Sequence, residues 1–160
     1  MTEVDRIAGE FGHTVKGDPW HGPSLTAALE GVTAEIAASR PHATVHTIWE
    51  ITLHLAAWEG AVTRRLKSGI AELPPEGDWP ALLDSSENGW HQTLALLEQR
   101  HQELQDAIQS FPNDRMDQLV GEQRDPPTGG GVTYYATLHG VVQHAAYHAG
   151  QIAIIRKWLE

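Results

Sequence analysis

The sequence contains no cysteine, which excludes several kinds of site at once. Disulfides, thiolate zinc sites, iron–sulfur clusters and cysteine nucleophiles cannot form in such a chain. Long apolar runs are also missing, since no stretch approaches the ~20 residues that a membrane-spanning helix needs. The first ten residues have neither the basic start nor the apolar stretch of a signal peptide. We therefore expect a cytoplasmic protein without a membrane partner.

Basic residues are scarce as well. The 160 residues include 11 Lys and Arg against 21 Asp and Glu, which gives a formal net charge of −10. Nucleic-acid affinity comes largely from cations that release counterions, so this composition predicts no nucleic-acid partner. A chain of this length can bury one sizeable core but not two. We therefore expect a single domain over residues 1–160.

Apolar residues recur at three- and four-residue spacing along four segments, which predicts four amphipathic helices. The segments are residues 2–16, 44–66, 90–111 and 138–159. A shorter helical piece is expected from Ser24 to Gly31, and Gly69 and Pro112 are expected to stop the second and third helices. Proline- and glycine-rich connections cover residues 17–23, 73–80 and 125–131, the last as a flexible break. No segment alternates for long with a strand period, so the pattern predicts an all-α four-helix bundle whose long connections permit a crossover topology.

Histidine is abundant, with 10 residues where ordinary usage gives about three. His144 and His148 lie four residues apart on the last predicted helix, so both rings can reach one divalent ion. His148 also occupies a core position, where a buried imidazole needs a hydrogen-bond partner or a metal. The alternative is a pair of ordinary helix histidines, one bonded to a carbonyl or carboxylate and one solvated. Because Ala145 rather than glutamate follows His144, the pair is not the zincin motif.

A third ligand would turn this pair into a reactive metal site, and His54 is the best candidate. It lies on the border of the apolar stripe of the second long helix. Three histidines from two helices would leave coordination positions open for water or substrate. Taken alone, His54 also fits an ordinary histidine at the edge of a core. Periodicity does not decide between it and His21, His46 and His101, whereas four others are expected at the surface, at helix ends or on another face: His13, His42, His91 and His139.

Two stretches around these histidines closely resemble the DinB family of metal-dependent bundle proteins. They are residues 47–59 (TIWEITLHLAAWE) and 138–152 (LHGVVQHAAYHAGQI), and the loop at residues 19–23 (PWHGP) is similar too. The resemblance spans most of the chain. It implies a four-helix bundle, a homodimer, zinc or nickel as the bound ion, and His54, His144 and His148 as the metal ligands.

The same resemblance assigns supporting or structural roles to His46 and His101. A metal-bound histidine commonly donates its outer nitrogen to an orienting group. We expect Glu50 or Gln151 to supply that group, and the sequence does not decide between them.

The resemblance implies a reaction class less sharply than a site. Relatives include thiol S-transferases that use low-molecular-weight thiols, mycothiol-dependent isomerases and suspected hydrolases. A divalent ion with open positions lowers the pKa of a bound water or thiol, so we predict a small-molecule transferase or hydrolase. The transferase needs no protein cysteine, because the thiol is a co-substrate. We expect Trp20, Trp58 and Tyr147 to line the substrate pocket, with His21 and Glu50 as candidate catalytic residues.

The alternative is a non-catalytic helical protein that a metal stabilises and that dimerises as an interaction or stress-response module. The stripes of the third and fourth long helices suit an interface as well as a core. A structural site would close its fourth coordination position with a protein ligand, whereas a catalytic site would leave it open. A stress-linked regulator that binds DNA has no support, because the chain has no basic patch or recognition helix.

Overall fold

The computed structural model describes residues 1–159, and helices make up most of them. In chain order the elements are α1 (Glu3–Lys16), α2 (Leu25–Leu29), α3 (Ala34–Ala38), α4 (Ile48–Ser68), α5 (Glu87–Gln109), a 3-10 turn (Asn113–Arg115), β1 (Leu119–Asp125), β2 (Gly130–Thr133) and α6 (Tyr134–Leu159). The four long helices α1, α4, α5 and α6 confirm the prediction of an all-α bundle.

Local capping explains where α4, the helix that carries His54, begins and ends. The Thr47 hydroxyl accepts a hydrogen bond from the Glu50 backbone N–H, and the Glu50 carboxylate accepts one from the Thr47 N–H. This reciprocal pair satisfies two N–H groups that the first helical turn leaves unbonded. At the other end Gly69 adopts φ +75°, a left-handed conformation that favours glycine and stops the helix. The predicted stop at Gly69 is confirmed.

The long helices contact one another in the cyclic order α1, α5, α4, α6. Helix α1 therefore lies diagonally opposite α4, and α5 lies diagonally opposite α6. In each of these pairs the two helices are nevertheless consecutive among the long helices of the chain. Two of the three connections cross the bundle, as their length permits. This arrangement makes α4 and α6 neighbours, although about seventy residues separate them along the chain.

Two apolar clusters fill the bundle. One contains Phe11, Leu104 and Tyr134, and the other contains Trp49, Trp90 and Ile152. The short helices α2 and α3 pack on the second cluster, where the Trp90 indole donates to the Val32 carbonyl oxygen at 2.7 Å. The histidines of interest lie on the face formed by α4 and α6, at the edge of this core.

A β-hairpin is the main departure from the expected fold. Strands β1 and β2 pair antiparallel, with Val120 opposite Val132 and an irregularity between Val120 and Asp125. The flexible break expected at residues 125–131 is instead the turn and second strand of this hairpin, so the expectation of no strand was wrong here. Val120 is fully buried in the core, which anchors the hairpin. Helix α3 was also missed, because five residues are too few to show a helical period and its cap, Thr33, was not recognised as Ser24 was for α2.

Hydropathy of the helices agrees with the absence of long apolar runs. Within residues 1–159, no helix is long and apolar enough to cross a membrane.

Candidate metal centre

Three histidines converge where α4 packs against α6. His54 comes from α4, and His144 and His148 lie one turn apart on α6. The Nε2 atom of His144 is 3.0 Å from Nε2 of His54 and 3.0 Å from Nε2 of His148. All three ligand atoms lie within 4.8 Å of one another, so a single ion could contact all of them. The structure thus brings together the three histidines that the family resemblance selected.

The outer nitrogens of two of these rings are held by hydrogen bonds. Nδ1 of His54 donates to the backbone carbonyl oxygen of Asp78 at 2.6 Å, and Nδ1 of His148 donates to Oε1 of Gln151 at 2.6 Å. Because Nδ1 carries the proton in both rings, both Nε2 atoms are unprotonated. Their lone pairs are therefore available to an ion between the three rings. Gln151, rather than Glu50, is therefore the orienting residue. The carbonyl of Asp78 was missed, because a loop carbonyl leaves no signal in the sequence.

The donor set fits a cation. With both outer nitrogens protonated, Nε2 of His54 and Nε2 of His148 carry no hydrogen, and Nε2 of His144 can donate to only one of them. At least one close nitrogen pair therefore lacks a hydrogen between its atoms. A divalent ion that accepts all three lone pairs removes this conflict. An all-imidazole set suits zinc, nickel, copper and iron alike.

The electrostatic surroundings keep the three rings neutral. Burial, together with the neighbouring His148 and His54, lowers the pKa of His144 to about 3. Burial lowers the pKa of His148 to about 4, although its hydrogen bond to Gln151 acts in the opposite direction. Burial also lowers the pKa of His54. Neutral imidazole is the form that binds metals, so the cluster is ready for an ion at neutral pH.

An aromatic stack covers the outer side of His54. The Trp79 ring lies 4.0 Å from the His54 ring and 3.5 Å from the His46 ring between centroids, nearly parallel to both. His46 in turn contacts Oε2 of Glu50 at 3.1 Å, and Glu50 forms an ion pair with Arg40. Glu50 thus reaches the cluster only through His46 and Trp79. It contacts none of the three candidate ligands.

Two of the cavities formed by residues 1–159 adjoin the cluster. The first, of about 380 Å³, is lined by His54 and His144 together with Trp58, while Asp78 and Arg65 provide its charged groups. The second, of about 420 Å³, is lined by His148, His46, Trp79 and Tyr147 among others. The predicted pocket residues Trp58 and Tyr147 therefore lie in separate cavities on different sides of the cluster.

The structure places Trp20 and His21 elsewhere. Both belong to the loop that follows α1, and they line a shallow depression with Glu10 and His13. Trp20 is fully exposed. Within residues 1–159, neither side chain has a hydrogen bond or ring contact to the three clustered histidines, because the short loop keeps both beside α1. The geometry gives no place at the metal centre to this predicted pair.

A buried ion pair joins α4 to α5 away from the cluster. Nδ1 of His101 lies 2.5 Å from Oε2 of Glu59, and both side chains are buried. Burial raises the pKa of Glu59, and His101 partly offsets that rise. Sequence reasoning missed Glu59, although a signal was present: it stands in the apolar register of α4, four residues after Leu55 and three before Val62. His101 thus contacts a carboxyl group in the core, away from the three clustered histidines.

Comparison with known proteins agrees with this geometry. A family model described as the DinB superfamily matches residues 20–152, a range that contains all three clustered histidines. No curated protein and no solved structure matches the chain.

Proposed function

Because the chain belongs to the DinB superfamily, we propose that it is an enzyme in which His54, His144 and His148 hold a divalent metal ion that acts on a small molecule. The observation that carries this proposal is the convergence of three neutral imidazoles whose Nε2 atoms lie within 4.8 Å of one another. Among residues 1–159, no fourth histidine or carboxylate joins the cluster. Such a set leaves coordination positions for exogenous ligands, as catalytic sites require.

A divalent ion held by three imidazoles lowers the pKa of a water or thiol that it binds, and so supplies a nucleophile near neutral pH. The protein's own residues orient and shield this site. The Asp78 carbonyl and Gln151 hold the rings of His54 and His148. The Asp78 carboxylate accepts a hydrogen bond from the Trp58 indole at 2.7 Å, which ties the loop over α4 and forms one wall of the first cavity.

Thiol S-transfer is the reaction class that we favour, with hydrolysis second. Transfer between an electrophile and a low-molecular-weight thiol needs room for two molecules, and two separate cavities adjoin the cluster. The first cavity has mainly apolar walls, which suit the carbon skeleton of an electrophile. The chain has no cysteine, so the thiol would come from a co-substrate.

Metal content tests the site. We expect about one zinc or nickel ion per chain in untagged wild-type protein, by plasma mass spectrometry, and none in His54→Ala. His91→Ala is the matched control, because its ring is exposed on α5, where it lies beside Glu87 and away from the cluster. A wild-type protein that stays free of metal after incubation with zinc and nickel would overturn the proposal.

Activity tests the reaction class. Metal-loaded protein would be incubated with a halogenated aromatic electrophile, with and without a low-molecular-weight thiol, and separately with activated esters. Electrophile loss that requires both thiol and metal supports transfer, and ester cleavage without thiol supports hydrolysis. Loss of either activity in His54→Ala, with retention in His91→Ala, would assign it to the metal centre.

A non-catalytic, metal-stabilised dimer is the second candidate function. It is favoured by an exposed apolar strip on α6, where the side chains of Tyr147, Ile154 and Trp158 are each more than half exposed. These residues are seven and four positions apart and so share one face. Light scattering of wild type and Trp158→Glu tests the strip as an interface, and a dimer without any activity would favour this second function.

A further inference from the structure

The first cavity is lined by a buried arginine, Arg65. Arg65 is only 6% exposed. Its Nη2 donates to the carbonyl oxygen of Glu72 at 3.1 Å, while its Nε is shielded from solvent and has no acceptor. Among residues 1–159, no carboxylate forms an ion pair with this guanidinium. Buried charges are ordinarily paired, so Arg65 lacks the counter-ion that such a position calls for.

The Arg65 guanidinium stays charged although its buried position disfavours the charge. Burial lowers the pKa of Arg65, and the nearby Arg64 adds to the effect. A guanidinium nevertheless keeps its proton in proteins. An anion that enters the cavity would therefore gain a strong, weakly hydrated partner in the guanidinium.

Arg65 shares a wall of the cavity with the metal centre. His54, Trp58 and Arg65 lie at intervals of four and seven residues, so they line one face of α4. The guanidinium carbon is 5.3 Å from the centre of the Trp58 ring, and the Trp58 and His54 ring centroids are 6.3 Å apart. The indole therefore stands between the cation and the metal ligand. A molecule that spans the Trp58 face would reach both.

The hairpin brings backbone against the guanidinium. Gly129, in the turn between β1 and β2, has φ +75°, and a Cβ atom there would lie 3.0 Å from Nη1 of Arg65. A Cβ atom at this position would crowd the guanidinium, which would have to shift by a few tenths of an ångström. The turn thus confines Arg65 within the cavity, which gives the hairpin a direct part in shaping the site.

The other charged side chain that lines this cavity, Asp78, already accepts a hydrogen bond from the protein. The Asp78 carboxylate accepts a hydrogen bond from Trp58 and lies 3.4 Å from Nδ1 of His54. Its negative charge therefore lies beside His54. The positive charge of Arg65 has no acidic partner among residues 1–159. The unpaired charge that this part of the cavity offers to a ligand is therefore positive.

We propose that Arg65 determines specificity by binding a carboxylate of the substrate, so that the enzyme acts on small carboxylic acids with an apolar body. The assignment rests on the proposed function, which places the reacting end of the molecule at the three histidines. A carboxylate is planar and presents two oxygens, which match the guanidinium fork. The volume of about 380 Å³ and the mainly apolar walls fit a body of about the size of a substituted benzene ring.

Calorimetric titration with two matched probes tests this assignment. The probes are 4-phenylbutyrate and its neutral amide, 4-phenylbutyramide, which differ in charge but hardly in shape. We expect wild-type protein to bind the acid about tenfold or more tightly than the amide, as for a hydrogen bond to a charged group. Arg65→Gln should bind the two nearly equally, and Arg65→Lys should recover part of the preference because it keeps the charge without the fork.

Arg64→Gln is the control, since it removes the same charge one residue away without touching the cavity lining. It should keep the preference of wild type. Circular dichroism and zinc content show that each variant is folded and retains the metal site. Failure of wild type to bind the acid, equal affinities for acid and amide, or a preference that survives in Arg65→Gln would overturn the assignment.

Titration of both zinc-loaded and metal-free protein separates this proposal from the preceding one. A preference for the acid that depends on Arg65 and persists without metal supports the arginine subsite even if the metal site fails. Protein that binds zinc but shows no preference refutes the subsite and leaves the metal centre intact. A preference seen only with zinc, and unchanged in Arg65→Gln, means that the carboxylate contacts the metal instead, which also refutes the subsite.

Discussion

Acid should destabilise the metal-free protein, with the three-histidine cluster as a main cause. The folded protein holds the pKa of His144 at about 3 and that of His148 at about 4, below the ordinary value of 6.5. Between these values the unfolded chain binds protons that the folded chain does not. The stabilisation from neutral rings is therefore complete above pH 6.5 and is lost as the pH falls.

The size of the effect follows from the two shifts. Each ring contributes a slope of about 1.4 kcal/mol per pH unit below its unfolded pKa. From pH 7.5 to pH 5.0 the two rings would together remove at most about 4 kcal/mol of unfolding free energy. His144 is only half-buried, and solvent screening reduces the expected loss to about 2 kcal/mol. The lowered pKa of His54 acts in the same direction.

Urea denaturation followed by circular dichroism, with a chelator present throughout, measures this loss at pH 7.5 and pH 5.0. His144→Gln is the test variant because glutamine does not titrate, and it should lose about 1 kcal/mol less than wild type over this range. His91→Gln, with an exposed ring, should behave as wild type. Titration elsewhere, such as that of Glu59, affects all three proteins alike and cancels in the comparison.

Two results would refute this reasoning. One is a wild-type stability that does not change between pH 7.5 and pH 5.0. The other is a pH dependence in His144→Gln equal to that of wild type, which would mean that the rings are not held neutral by their surroundings.

Two further predictions concern the residues around the cluster. Gln151→Ala should weaken zinc binding by about 10- to 100-fold in a chelator competition titration, because Nδ1 of His148 loses its acceptor. Gln143→Ala, on the exposed side of α6, should leave zinc affinity unchanged. Equal zinc affinities of the two variants would show that Gln151 does not orient His148. His101→Ala should reduce the free energy of unfolding by about 3–5 kcal/mol in urea, because Glu59 is left buried without a partner, and metal content should stay at the wild-type level. Loss of the metal in His101→Ala would instead connect this ion pair to the site.

The four long helices were predictable because their signals are local. Apolar spacing along each segment shows which face is buried, and Thr47, Glu50 and Gly69 mark the ends of α4 within a few residues. The hairpin was not predictable in this way. Its strands are held by the pairing of Val120 with Val132 and by burial of Val120, and the glycines at 129 and 131 look like a flexible break until that pairing is known.

The candidate site divides in the same manner. The spacing of His144 and His148 indicates a shared ligand face, but His54 was one of several candidates until the resemblance selected it. Only the tertiary structure shows that its Nε2 meets that of His144 across ninety residues of chain. It also places Trp20 and His21 in another depression, which the resemblance of their loop did not reveal.

The sequence by itself determined the helical bundle, the excess of histidine and the absence of cysteine, because each is a property of composition or of spacing along one helix. Tertiary structure alone decided that Asp78 and Gln151 hold the rings of His54 and His148, that Glu59 pairs with His101, and that Arg65 lies buried without an acidic partner among residues 1–159. The physical reason is that a hydrogen bond or an unpaired charge depends on which distant segments pack together. A periodic pattern shows which face is buried, but not what that face meets.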